Sequence, residues 1–207
     1  MEEEKRLLAI MGSPKKGGKT AAMLSTAVYA AKKAGYQTEV YDLYGKNIGC
    51  CLGCMKCRES GVCVQHDDLD ELREKLIACD MAVLAAPTYF ANVPAPVKAI
   101  FDRLAGTVLD DSEGMAPKPR LKAGKRYLLL TACSTPSPFD RLAGQSSGCL
   151  RAMDVFFHSA GMRCAGKIVC AGTKSLTQLP QGIERRIRRV FRPLPQAQRD
   201  PDSVAAL

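Results

Sequence analysis

The sequence predicts an α/β protein, an open five-stranded parallel sheet with helices on both faces. Three observations point there. Apolar runs of strand length alternate five times with segments of helical periodicity. The run RLLAIMG near the start and MAVLAAP from Met81 are apolar without alternation, as in strands buried on both faces. A glycine-rich turn joins the first strand to the first helix, where open parallel sheets bind ligands beyond the carboxyl ends of their strands.

Each element follows from its own pattern. RLLAIMG is the first strand. Residues 20–34 place Leu24, Ala27, Val28 and Ala31 at helical spacing and stop near Gly35. YQTEVYDL is more polar, as a strand near the sheet edge would be. DDLDELREKLIA opens on aspartates that cap a helix and suit its dipole, with Leu69, Leu72 and Leu76 as the inner stripe. MAVLAAP is the third strand. Pro94 and Pro96 open the next helix, whose inner face is Val97, Ile100, Phe101 and Leu104. Residues 106–124 read as a loop. RYLLLTAC is the fourth strand, and a loop with Pro136, Pro138 and Gly144 leads to a helix carrying Leu150, Met153 and Phe157. GKIVCAG is the fifth strand. The basic helix ERRIRRVFR follows, with Ile183, Ile187, Val190 and Phe191 inward and its arginines in water. Two arrangements fit this order, a Rossmann half and a flavodoxin-like sheet of strand order 2-1-3-4-5. Residues 1–192 read as one unit with a cysteine-rich loop at 50–63. The proline-containing residues 193–207 read as an extended or disordered arm.

The chain has 207 residues, 46% of them hydrophobic and 25% charged, enough for a sizeable core. No apolar run is long enough to cross a bilayer, and the acidic start has no basic n-region. The expected location is cytoplasmic, with no membrane contact. Ten cysteines in that setting are not a disulfide framework. Cys79, Cys133, Cys149, Cys164 and Cys170 stand apart, and most read as small buried residues. The net charge of +9 gathers partly on the basic helix. It has no aromatic partners or nucleic-acid module beside it, so no nucleic-acid role is expected. A salt-dependent nucleic-acid binder and a docking face for an acidic protein are the rival readings of that charge.

GSPKKGGKT, after the first strand, is an anion site by position: its glycines deliver a helix N-terminus with free N–H groups. It is not a Walker A loop, because Ser13 stands where the first glycine is required, and no G-x-G-x-x-G is present. What remains suits one terminal phosphate. Ser13 and Thr20 offer hydroxyls, Gly17 and Gly18 let the backbone approach, and Lys15 and Lys19 offer charge.

GSPKKGGKT resembles the phosphate loop of the flavodoxin-like NAD(P)H-dependent FMN reductases. APTYFANVPAPVKAIFDRL (86–104) resembles the second flavin-binding loop of that family and its following helix. The likeness runs from about residue 6 to about residue 172. It implies a flavodoxin-like sheet and FMN contacts from Pro87, Thr88, Tyr89, Phe90 and Asn92. Thr88 and Asn92 would bond flavin polar atoms, and Tyr89 and Phe90 would cover the ring unless they are packing residues. The fourth strand's loop would add Ser134 and Thr135.

The segment CCLGCMKCRESGVC holds Cys51, Cys54, Cys57 and Cys63 in a C-x2-C-x2-C-x5-C pattern. Closely spaced thiolates of this kind wrap a 4Fe–4S cubane in bacterial ferredoxins. Gly53 and Gly61 allow the turns, and Lys56 and Arg58 would offset the cluster's charge. Structural zinc, a redox disulfide and a loop without metal are the alternatives. Cys50 is a spare thiol. The same spacing after the second strand resembles the iron–sulfur flavoproteins within the reductase family. That likeness implies a 4Fe–4S cluster exchanging electrons with FMN, a ferredoxin-like donor, and a homodimer or homotetramer. The alternative is an NAD(P)H-dependent FMN or quinone reductase with a metal-free loop. No side chain reads as an acid–base catalyst. His66 would stand behind the cysteines, and His158 would be structural.

Overall fold

A computed structural model of the chain describes residues 4–111 and 116–192. The principal elements are β1 (Arg6–Met11), α1 (Lys19–Lys33), β2 (Gln37–Asp42), α2 (Leu69–Ala78), β3 (Met81–Pro87), α3 (Ala95–Arg103), β4 (Arg126–Ala132), α4 (Gln145–Ser159), β5 (Arg163–Cys170) and α5 (Gln181–Val190). The five strands run parallel in the order β2–β1–β3–β4–β5. That is the flavodoxin-like order, which decides between the two predicted arrangements. The predicted arm at 193–207 lies outside the described residues.

Alternation along β1 divides the core in two. Leu8 and Ile10 point to one face with the buried residues of α2, α3 and α4; Leu7, Ala9 and Met11 point to the other with those of α1 and α5. Each fully buried leucine or isoleucine contributes about 1.5–3 kcal/mol. The predicted inner stripes of α2 and α3 are buried. On α5, Ile187 and Phe191 are buried, Ile183 and Val190 are half-buried, and Arg185, Arg186, Arg188 and Arg189 are exposed. β2 is an edge strand, with only Tyr41 buried.

Three local readings change. Residues 106–124 are not all loop: a helical turn (Ala105–Val108) runs into a two-residue antiparallel ladder, Leu109–Asp110 with Lys118–Pro119. Val108 is buried there, and that burial, absent from any periodic pattern, orders the segment. At the start of α2 the two aspartates divide their work. Asp67 Oδ1 accepts the Leu69 N–H (3.0 Å), while the Asp68 carboxylate turns back to the Asn47 N–H (2.6 Å). On α4 the buried stripe is Cys149, Met153 and Phe157, and Leu150 flanks it. Among the described residues no helix is long and apolar enough to cross a membrane.

Candidate functional site

Three loops meet at the carboxyl edge of neighbouring strands. The Gly12 N–H bonds the Ala85 carbonyl (2.8 Å), tying the end of β1 to β3. The Thr88 N–H bonds the Ala132 carbonyl (2.9 Å), tying the end of β3 to β4. Ser13 through Thr20, Pro87 through Asn92, and Ser134 with Thr135 therefore share one rim.

The first of these loops ends in a helix start with no side-chain cap and no acidic residue in its first turn. Such an N-terminus favours an anion. Ser13 and Thr20 are buried at its base, and Lys15 is exposed above it. Ser13 Oγ accepts the Lys15 N–H (3.3 Å), which leaves its own hydrogen to donate. Lys19 Nζ reaches across to the Thr177 carbonyl (2.9 Å), so this lysine ties the loop to the segment before α5.

The β3 loop is a tight turn closed by a Tyr89–Asn92 bridge. Phe90 (φ 49°) and Ala91 (φ 59°) are both left-handed, a backbone state that costs a non-glycine residue roughly 1–2 kcal/mol. Phe90 is 100% exposed and Tyr89 49%, so neither is a packing residue of the chain itself. Thr88 Oγ1 lies 3.0 Å from Thr131 Oγ1, and Asn92 Oδ1 accepts the Val93 N–H (2.8 Å). Of Asn92, the amide nitrogen is the atom placed to reach outward. Ser134 is exposed and Thr135 half-buried. The Thr135 carbonyl accepts the Gly172 N–H (2.9 Å), joining the loops after β4 and β5. Beneath them, burial and the charges of Asp140 and Cys170 push the Cys133 thiol up to about 11, so it stays protonated at neutral pH.

Cys51, Cys54, Cys57 and Cys63 all line one cavity of ≈ 180 Å³, with Leu52, Met55, Val64 and Leu109 among its apolar walls. Cys50 lies in a separate groove beside Tyr44 and Pro96. Gly53 (φ 66°) and Gly61 (φ 71°) make the predicted turns. Among the described residues no three His, Cys, Asp or Glu side chains stand close enough to hold a metal ion. The donor set nevertheless fits a thiolate-bound cluster. The Gly53 N–H and Arg103 Nε each donate to a cysteine sulfur, Cys51 and Cys63 respectively, both at 3.4 Å. Such donors stabilise sulfur-borne negative charge.

The cavity floor was not legible as a motif. Gly106 packs so closely on Cys57 that an added Cβ would lie 2.8 Å from the Cys57 Cβ and closer still to its backbone. Thr107 Oγ1 donates to the Gly61 carbonyl (2.8 Å), and Arg120 Nη2 to the Arg58 carbonyl (2.8 Å). Arg103, 1% exposed, is the buried cation here and pairs with Asp67. Burial opposes charge on Asp67, yet the Arg103 hydrogen bond, the N–H groups of Gly49 and Leu69 and the Arg103 charge outweigh it and hold the carboxyl below the usual range. Burial likewise opposes the Arg103 charge, and bonds to Asp67 and Cys63 outweigh it. Of the two cations expected to offset a cluster, Arg58 lines the cavity but pairs with Asp111 (3.0 Å), and Lys56 is exposed. His66 turns away to Asp70 (3.1 Å) on the α2 surface, and His158 is exposed on α4.

A second, wider groove of ≈ 550 Å³ runs between α3 and α4. It begins at Ala91 and Asn92 of the β3 loop and passes Phe101 and Phe156, whose rings stack at 4.4 Å. It shares Asp102, Ala105 and Leu109 with the cysteine cavity. The β3 loop and the four cysteines thus border two neighbouring, largely apolar depressions that share these three wall residues.

Residues 5–161 match the family described as NADPH-dependent FMN reductase. An iron-sulfur flavoprotein of Methanosarcina thermophila is 38% identical over 98 residues, 47% of this chain and 51% of that protein. One from Archaeoglobus fulgidus is 37% identical over 99 residues, 48% of this chain and 45% of that protein. The chain spans about half the length of these curated relatives. Among solved structures, an FMN-dependent NADH-azoreductase from Bacillus anthracis in complex with FMN superposes with a TM-score of 0.70 at 15% identity, covering 90% of this chain and 98% of that one. The NAD(P)H:quinone oxidoreductase from Methanothermobacter marburgensis gives 0.68 at 16% identity, covering 91% and 98%. These structural likenesses concern the fold.

Proposed function

The chain belongs to the NADPH-dependent FMN reductase family, whose members are flavin-dependent oxidoreductases, and on that premise we propose an FMN- and 4Fe–4S-dependent electron-transfer function. Ser13, Lys15, Gly18, Lys19 and Thr20 bind the FMN phosphate through the uncapped start of α1. Pro87, Thr88, Tyr89, Phe90 and Asn92 hold the ring system, with Ser134 and Thr135 at its far side. Cys51, Cys54, Cys57 and Cys63 hold the cluster. FMN accepts one or two electrons and a 4Fe–4S cluster one, so together they join single-electron carriers to two-electron chemistry. The protein's own work is placement: the β3 turn presents Phe90 and Tyr89, and the cavity gathers the four cysteines among apolar walls. A ferredoxin-like protein or NAD(P)H is the electron donor, and the working form is a homodimer or homotetramer.

The observation that carries this reading is a cavity lined by all four spaced cysteines that shares a wall with the groove starting at the β3 loop. The likeness to iron-sulfur flavoproteins supports it. The test is iron and acid-labile sulfide per FMN in anaerobically purified protein. The cluster reading expects about four of each, lost in Cys54→Ala. Full flavin with neither iron nor sulfide would replace it with an NAD(P)H-dependent FMN or quinone reductase whose cysteine loop is structural.

A further inference from the structure

Arg103 occupies an unusual position for an arginine. It ends α3 at 1% exposure, and arginine is rarely buried unless all its donors are engaged. Its Nη1 donates to the Gly49 carbonyl (3.3 Å) and to the Asp67 carboxylate. Its Nη2 donates to the Gln65 carbonyl (2.7 Å), and its Nε to Cys63 Sγ (3.4 Å). Gly49 immediately precedes the cysteine-rich segment, and Gln65 lies two residues beyond its last cysteine. One guanidinium therefore closes both ends of the segment and also touches the sulfur of its most separated cysteine.

Building on the cluster reading above, we propose that Arg103 is a positioning residue for the metal centre: it fixes Cys63 as a preset ligand and tunes the reduction potential of the group held there. Loop closure alone requires only the two Nη groups. The Nε donor goes instead to a sulfur lining the cavity, and hydrogen bonds to cluster sulfurs are among the terms that set potential. Such a bond stabilises the more negative, reduced state and raises the potential. Asp67 neutralises the arginine's charge, so the effect is local and directional. Asp67 also accepts the Gly49 N–H (3.1 Å), which holds guanidinium and loop end in one network. The role needs a planar fork with several fixed donors, and a lysine ammonium has no equivalent geometry.

The test compares parent, Arg103→Lys and Asp67→Asn proteins, purified anaerobically with their cofactors. Three quantities are measured: cluster reduction potential by titration with electron paramagnetic resonance, iron loss to a chelator, and amide hydrogen exchange of cluster-free protein over 49–66. The expected result for Arg103→Lys is retained FMN and circular dichroism, a more negative potential, iron loss about 10-fold faster and faster exchange confined to 49–66. Asp67→Asn loosens the same network, so iron loss and exchange over 49–66 rise by less, while the unneutralised guanidinium moves the potential in the positive direction. Parent-like potential and iron loss in both variants would overturn the proposal, leaving Arg103 a structural clasp even if exchange rises. If the parent holds no iron or sulfide, the cluster reading itself fails and takes the tuning role with it. The exchange arm then reads only the clasp: faster exchange at 49–66 leaves Arg103 as the residue that closes the segment, and unchanged exchange removes that role too.

Discussion

The backbone of Cys57 lies where a side chain on Gly106 would begin. The helical turn after α3 is thus the surface on which the cysteine segment is moulded, and Arg120 and Thr107 bond the segment just after that contact, at the Arg58 and Gly61 carbonyls. Gly106→Ala must displace Cys57 or the turn. We expect a loss of about 1–3 kcal/mol, the usual cost of overpacking, together with reduced iron content. Gly182→Ala is the control, since nothing lies within 4 Å of its added Cβ. Urea denaturation midpoints and iron analysis check both. Equal midpoints for the two variants would refute the moulding role.

The cysteines divide by environment, and alkylation reads that division directly. Cys79, Cys133, Cys149 and Cys170 are buried, and burial raises each thiol, Cys79 and Cys133 to about 11. Cys50, Cys51, Cys54 and Cys164 are exposed, with Cys57 and Cys63 half-buried. Iodoacetamide at about pH 8, with mass spectrometry, should label those six in native cluster-free protein and the buried four only after denaturation. With a cluster bound, Cys50 and Cys164 alone should remain reactive. Protection of any other set would reassign the ligands.

The sheet was legible because its strands are read by local rules. LLAIM of β1 and MAVLAAP are apolar throughout and so belong in the middle, and β2 shows its edge position by its polarity. The four cysteines were legible because their spacing is itself the signal. Arg103, Gly106 and Asp67 were not. Each acts across a gap in sequence, Arg103 on Cys63 forty positions away, and nothing local marks an arginine near the end of an amphipathic helix as buried. Of the five separate cysteines, most of which read as buried, Cys164 is the exposed one: it follows Arg163 on the strand at the far edge of the sheet.

Asp154 on α4 gives a pH test away from the site. It accepts hydrogen bonds from Tyr127 Oη and Lys167 Nζ, both at 2.7 Å. Burial raises its carboxyl, but the bonds from Lys167 and Tyr127 and the charges of Lys167 and His158 outweigh burial and hold it below the ordinary value of 3.8. A depressed carboxyl stabilises the fold fully above its unfolded value and loses that contribution as pH falls through the folded one. The stability gap between parent and Asp154→Asn should therefore be constant from pH 7 to 5 and close below about pH 4. Urea midpoints across that range measure it. A gap that shows no decline as pH falls below about 4 would assign the effect to packing.

The anion loop makes a prediction that separates the phosphate from the ring. Ser13 Oγ already accepts the Lys15 N–H, so its hydrogen is available to a phosphate oxygen, and Ser13 is buried at the base of the loop. A hydrogen bond to a charged acceptor contributes about 1.5–3 kcal/mol. Ser13→Ala should then weaken FMN binding by roughly 10- to 100-fold and leave riboflavin, which has no phosphate, bound as in the parent. Fluorescence titration of the cofactor-free protein with both flavins gives the two constants. If the substitution weakens both equally, Ser13 shapes the loop and the phosphate contact lies with the backbone N–H groups and lysines. If it weakens FMN alone, the uncapped start of α1 is the phosphate site.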